Sequence, residues 1–115
     1  MQSAEFGVVL VTAASETEAE SIAQSLVSAK LAACVSIWPI RSIYIWQGKL
    51  EKSQEWQLLI KADLSQFAAL EAQVRSLHSY DLPEIIALPI AAGSAAYLDW
   101  MQMQTSQTQT QRPIE

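Results

Sequence analysis

An α+β fold of the order β-α-β-β-α-β, closed by a C-terminal helix, is what this sequence predicts, and three observations carry the prediction. Strand-like runs of period two and helical stripes of period 3.6 follow one another in that order along 115 residues. The only prolines inside strand-like runs, Pro39 and Pro89, fall in the second and fourth strands. The split βαβ pattern carries the sheet order 4-1-3-2 with the first and third strands central, and proline, which has no amide hydrogen to give a ladder and belongs at an edge or bulge, agrees with it. Both crossover helices of such a ferredoxin-like sandwich pack on one face, so the other face needs a separate cover, and a homo-oligomer is expected.

Each element has its own signature. Residues 6–12 (FGVVLVT) are nearly continuous in apolar and β-branched side chains, the mark of a strand buried on both faces. Ser15-Glu16-Thr17-Glu18 has the form of a capping box, and Ala19, Ile22, Ala23, Leu26 and Val27 recur at helical spacing up to Lys30. Acids in this first turn suit the positive end of the helix dipole. Residues 34–46 and about 50–61 form a long hairpin across Gln47-Gly48, a weaker turn signal than Asn-Gly. Asp63 caps a second helix, with Gln66 at the reciprocal position, and Phe67, Leu70, Val74 and Leu77 supply its apolar stripe. Pro83 biases Leu82 away from helical backbone, so this helix stops near His78. A fourth strand follows at 85–90, and Gly93-Ser94 opens a last helix holding Tyr97, Leu98, Trp100 and Met101. One domain thus fills residues 1–101, and the Gln- and Thr-rich residues 102–115 read as a flexible polar tail.

Composition narrows the function. Half of the residues are apolar and 17% are charged, as in a globular protein. Seven basic against twelve acidic side chains leave a net charge of -5 with no basic cluster, so neither nucleic acid nor a membrane is expected as a partner. The N-terminus lacks the basic start of a secretory signal, and the single Cys34 has no partner for an internal disulfide; both point to the cytoplasm. Flanked by Ala33 and Val35, Cys34 reads as a small buried hydrophobe. With the only histidine far along the chain, no nucleophile and base are evident, and no enzymatic activity is expected.

Alternation along the hairpin puts Ile43 and Ile45 on one face of the second strand and Ser42, Tyr44 and Trp46 on the other. On the third strand, Trp56, Leu58 and Ile60 separate from Glu55, Gln57, Leu59 and Lys61. The more uniformly apolar sets are expected against the helices. That leaves Tyr44, Trp46, Glu55, Leu59 and Lys61 on a face that no helix of the chain covers, an aromatic surface suited to another copy. Glu55 and Lys61 share this face but lie too far apart to bridge within the strand; they are placed to line a cleft or to pair across a subunit boundary.

The segment HSYDLPEI, residues 78–85, holds the sole histidine. His78 falls on the core side of the second helix near its C-terminus, where an imidazole meets free carbonyls. One histidine is too few for a transition-metal site of three or four ligands. Asp81 and Glu84 can add oxygens, and a symmetric oligomer multiplies any ligand near its axis.

Tyr44-Ile45-Trp46-Gln47-Gly48-Lys49, then Glu55 with Leu58-Leu59-Ile60-Lys61, then His78-Ser79-Tyr80-Asp81-Leu82-Pro83-Glu84-Ile85, then Tyr97-Leu98-Asp99-Trp100 stand in one order along the chain. Together they resemble the CutA divalent-cation tolerance family, over residues 7–101. The resemblance implies a homotrimer similar in architecture to the PII signalling proteins, a link to copper and other divalent cations, and no enzymatic reaction. It implies clefts between subunits at Tyr44, Trp46, Glu55, Lys61, His78, Tyr80, Pro83 and Trp100, with Glu84 beside them, and His78 as the metal ligand. The family's copper pattern has a cysteine where this chain has Val11 and a first histidine where it has Leu77, so His78 alone matches.

Two other classes compare. A PII-like small-molecule or nucleotide sensor trimer without catalysis would rely on Arg41, Lys61 and Arg75. Acylphosphatases share the topology, but their asparagine has no counterpart in this chain, and the first connection, Ala13-Ala14-Ser15-Glu16, is acidic and lacks glycine for a phosphate cradle.

Overall fold

The computed structural model describes residues 5–107. In chain order the elements are β1 (Phe6–Ala13), α1 (Glu16–Ser28), β2 (Cys34–Trp46), β3 (Lys49–Asp63), a 3-10 turn (Leu64–Gln66), α2 (Phe67–Leu77), β4 (Ile85–Pro89) and α3 (Ala95–Thr105). The strands form one antiparallel sheet in the order β2-β3-β1-β4, the expected 4-1-3-2 read from the other edge. Pro39 and Pro89 sit on the two edge strands.

The core lies between one face of the sheet and the first two helices. Val9 and Val11 of β1 and Leu58 and Ile60 of β3 are fully buried against Ile22 and Leu26 of α1 and Leu70 and Val74 of α2. The capping box forms at α1: Ser15 Oγ accepts the Glu18 amide at 3.1 Å. The Glu18 carboxylate reaches back to the Ala14 amide at 3.3 Å. Asp63 accepts the Ser65 amide at 3.0 Å and so opens the 3-10 turn ahead of α2. Gln66 is not its reciprocal partner, because its amide instead donates to the Thr105 carbonyl at 2.8 Å.

Two glycines have identifiable work. Gln47 and Gly48 both adopt positive φ, 52° and 80°, the backbone of a tight hairpin turn, and this sets the register from Trp46 opposite Lys49 onward. At Gly7 a Cβ would fall 2.6 Å from Leu64 Cγ and 2.8 Å from the Leu88 carbonyl oxygen, so only glycine lets β4 close on β1 there.

The helices do not reach the outer half of the hairpin. Strands of 13 and 15 residues extend roughly 43 and 50 Å, whereas the 13 residues of α1 span roughly 20 Å. The molecule is accordingly 58 Å long and 29 by 22 Å across. Ile43 and Ile45, expected against the helices, lie on that side of the sheet yet stay 67% and 65% exposed, with Leu50 beside them.

The opposite face is partly covered by the chain itself, which corrects the expectation for Lys61. Lys61 shares that face with its register partners Val8 and Cys34, and its Nζ lies 3.1 Å from the Tyr97 hydroxyl of α3. β4 ends at Pro89, opposite Gly7 and at the Lys61 end of the sheet, so the short link that follows returns α3 over the nearest bare surface. Met101 and Thr105 are buried on its inner side. The helix also passes the domain boundary expected at 101. Thr105 Oγ1 donates to the Met101 carbonyl at 2.9 Å, and with the Gln66 bond this holds the last turn, so residues 102–105 are helix rather than tail. Residues 108–115 of the expected tail lie outside the described residues. Among the described residues no helix is long and apolar enough to cross a membrane.

Candidate functional site

At the end of the open face away from α3, three elements enclose a pocket of about 510 Å³. β1 contributes Thr12, the hairpin contributes Tyr44, Trp46 and Glu55, and the loop between α2 and β4 contributes Ser79 to Leu82 and Glu84. The size lies within the range of small-molecule sites.

The loop is held by hydrogen bonds that converge from distant parts of the chain. β4 pairs with β1 only as far as Val11 opposite Ile85, and just beyond it the Thr12 carbonyl meets His78 Nε2 at 2.6 Å. His78 Nδ1 accepts the Tyr80 amide at 3.1 Å. These two partners define the tautomer: the carbonyl requires a proton on Nε2 and the amide requires the lone pair of Nδ1. In that tautomer the 3.6 Å approach of Glu18 to Nδ1 is not an ion pair. Glu18 binds Ser79 instead, accepting its amide at 2.7 Å and its hydroxyl at 3.0 Å. Pro83 ends the helical path, and Gln57 reaches across from β3 to the Val11 carbonyl at 3.0 Å and toward Glu84 at 3.5 Å.

On the pocket side, the Tyr80 hydroxyl donates to Glu55 Oε2 at 2.7 Å, and Glu55 is only 5% exposed. Burial, reinforced by this bond to a carboxylate, pushes the Tyr80 phenol well above its ordinary 10.0. Stability from this group is therefore present below the ordinary tyrosine value and drains as pH rises above it, because the unfolded chain releases its proton first and the folded state holds more protons. Ultraviolet titration is expected to find one late-ionising tyrosinate that vanishes in Tyr80→Phe; identical late ionisation in the variant would show that the proton belongs elsewhere.

The arrangement does not fit a transition metal within one chain. The His78 side chain is fully buried with both nitrogens engaged. Val11, at the family's cysteine position, is sealed in the core, and Leu77, at its first histidine position, is half exposed at the end of α2. Among the described residues no three His, Cys, Asp or Glu side chains are grouped to hold an ion. Within the single chain His78 clasps the pocket wall through the Thr12 carbonyl and the Tyr80 amide. His78→Ala leaves the Thr12 carbonyl and the Tyr80 amide without partners, an expected loss of about 1–3 kcal/mol for each buried group. Urea melts should register that loss while Cu(II) isotherms stay unchanged; copper affinity that disappears with the imidazole overturns the clasp role.

Of the residues expected at a cleft, Tyr44, Trp46, Glu55, Tyr80 and Glu84 come together around the pocket, and His78 supports it from behind. Pro83 shapes the loop without lining it. Lys61 and Trp100 lie at the other end of the sheet, with Tyr97 between them: its hydroxyl meets Lys61, and its ring centroid is 5.3 Å from that of Trp100. Lys61 Nζ is 5.1 Å from the Tyr97 centroid but 3.1 Å from the hydroxyl, so it sits at the ring's edge and the hydrogen bond is the operative contact. That bond, outweighing desolvation, raises the Lys61 pKa. Thr12, Ser79, Asp81 and Leu82 were not expected as lining. Thr12 carried no local signal, since strand register alone brings it there, whereas the other three could have been read from their places around Tyr80 in the loop.

Residues 7–104 match the family described as CutA1 divalent ion tolerance protein. The divalent-cation tolerance protein CutA of Thermus thermophilus is 50% identical over 99 residues, which cover 85% of this chain and 96% of that protein. A solved structure of the divalent cation tolerance protein from the same organism aligns with a TM-score of 0.85 at 48% identity, covering 88% of this chain and 99% of that one. The structure of the Archaeoglobus fulgidus protein, described as periplasmic, aligns with a TM-score of 0.86 at 40% identity over 88% and 99% of the two chains.

Proposed function

The chain belongs to the CutA1 divalent ion tolerance family, and from that premise we propose that it works as a non-enzymatic homotrimer whose pocket takes up a positively charged ligand. The lining of the pocket carries this reading: Glu55, Asp81 and Glu84 bring three carboxylates into it, and no lining residue is basic. In such a recess carboxylates attract cations more strongly than they do in open water.

The hairpin supports the assembly. Ile43, Ile45 and Leu50 project on one side and Tyr44 and Trp46 on the other, all more than 40% exposed, far more apolar surface than one small domain leaves open without a partner. A divalent cation would meet only separated carboxylates in one chain, so its binding is weak unless copies around an axis bring their acids together. Copper, on this reading, meets carboxylates rather than His78. The proposed compartment is the cytoplasm, favoured by the single Cys34.

The pocket volume also favours a second reading, a PII-like small-molecule sensor trimer. Its acid lining selects a cationic metabolite over a nucleotide, whose phosphates would face Asp81 and Glu84. Light scattering is expected to give three times the 12.7 kDa chain mass, and thermal shift to respond to cations and not to ATP. A particle of one chain mass, or stabilisation by ATP alone, sinks the proposal.

A further inference from the structure

We infer that Glu18 is the positioning residue of the pocket wall: one carboxylate at the start of α1 fixes where the loop after α2 lies. The capping box by itself asks little of this side chain. Its reciprocal bond to the Ala14 amide is long, 3.3 Å, whereas Glu18 accepts the Ser79 amide at 2.7 Å and the Ser79 hydroxyl at 3.0 Å. The shorter bonds go to the loop, 61 residues further along the chain. A hydrogen bond to an ionised acceptor is about twice as strong as a neutral one and strengthens as it shortens, so the carboxylate acts mainly on Ser79.

The loop has little else to place it. Residues 79–84 form neither helix nor strand; Leu82 is 69% exposed, and the Asp81 carboxylate makes no hydrogen bond or ion pair among the described residues. Two consecutive amides are instead captured side by side, Ser79 by Glu18 and Tyr80 by His78 Nδ1. That pair aims the Tyr80 ring, whose hydroxyl reaches Glu55 at 2.7 Å. His78 cannot stand in for Glu18, because its Nδ1 lone pair is already given to the Tyr80 amide.

These contacts do not depend on a neighbouring copy. The Glu18 side chain is only 14% exposed, that of His78 is fully buried and Glu55 nearly so, and each partner lies in the same chain. Placement of the wall is also separate from what the pocket binds, and silence toward every cation would leave it untouched.

Hydrogen exchange of the protein as isolated, read at single amides by NMR, tests the inference. In Glu18→Ala the Ser79 and Tyr80 amides are expected to exchange about ten- to a hundredfold faster. The Val9 and Ile60 amides of the central strands, followed alongside, separate local loosening from a general loss of stability. Glu18→Gln should restore most of the protection, since its carbonyl accepts the Ser79 amide and its NH2 donates to the Ser79 hydroxyl. Ser15→Ala removes a helix cap alone and should leave both loop amides near the parent. Tyr80 supplies a second signal: its late ionisation should move down towards the ordinary 10.0 in Glu18→Ala, and the charge of Glu18 is itself the least of the causes that hold it up. Parental protection in Glu18→Ala overturns the inference. So does an equal loss in Glu18→Gln or in Ser15→Ala, which traces the effect to charge or to fraying of α1, and so does a loss that Val9 and Ile60 share in full.

Discussion

Replacing Ile43 and Ile45 together by glutamate is expected to convert the proposed homotrimer into folded single chains of 12.7 kDa. Both side chains are about two-thirds exposed in the isolated subunit, so they contribute almost nothing to its own core. In the proposed homotrimer their worth lies in what a neighbouring copy covers. Burying an isoleucine contributes about 1.5–3 kcal/mol, so losing two weakens each contact between copies by roughly a hundred- to ten-thousand-fold. Charges forced into an apolar seam add to that loss. Sedimentation velocity reads the mass and circular dichroism the fold. A double variant that sediments like the parent would remove the hairpin from the interface.

Leu58→Ala is expected to have the opposite character, damaging the subunit itself. Leu58 is fully buried in the central strand β3, paired with Val11 on one side and Ile37 on the other, beneath the helices. Paired strands on both sides keep the walls from collapsing into the cavity, so the cost should be about 2–5 kcal/mol. That is a large fraction of the roughly 5–15 kcal/mol by which domains are stable. Leu50→Ala supplies the contrast: the same residue type on the same strand, but 62% exposed. Measured by urea unfolding in the Ile43→Glu/Ile45→Glu background, Leu50→Ala should stay within about 0.5 kcal/mol of its parent. Equal losses at the two leucines would contradict the account of the core.

The element order was legible because its signals are local. Capping at Ser15 and Asp63, the Gln47-Gly48 turn and the helix stop before Pro83 each depend on a few neighbouring residues. The edge strands were legible from Pro39 and Pro89 for the same reason. About half of the pocket could be read as well, since Tyr44, Trp46 and Glu55 share a face by simple alternation. The docking of α3 was not legible. Its apolar residues form no single stripe, with Trp100 and Met103 outward while Met101 and Thr105 face in, so nothing in the segment says which surface it covers.

What the sequence by itself determined was the fold, its edges and the segments that meet at the pocket, because periodicity, proline and capping act over a few residues. Only the tertiary structure decided the role of His78, since both its partners depend on where β4 stops pairing with β1, and Thr12 stands 66 residues away in the chain. It also decided that, within the chain, Lys61 meets Tyr97, because the exit of β4 returns α3 over that end of the sheet. Contacts between groups so far apart follow from how strand lengths and registers add up, a property of the assembled sheet that no single segment carries.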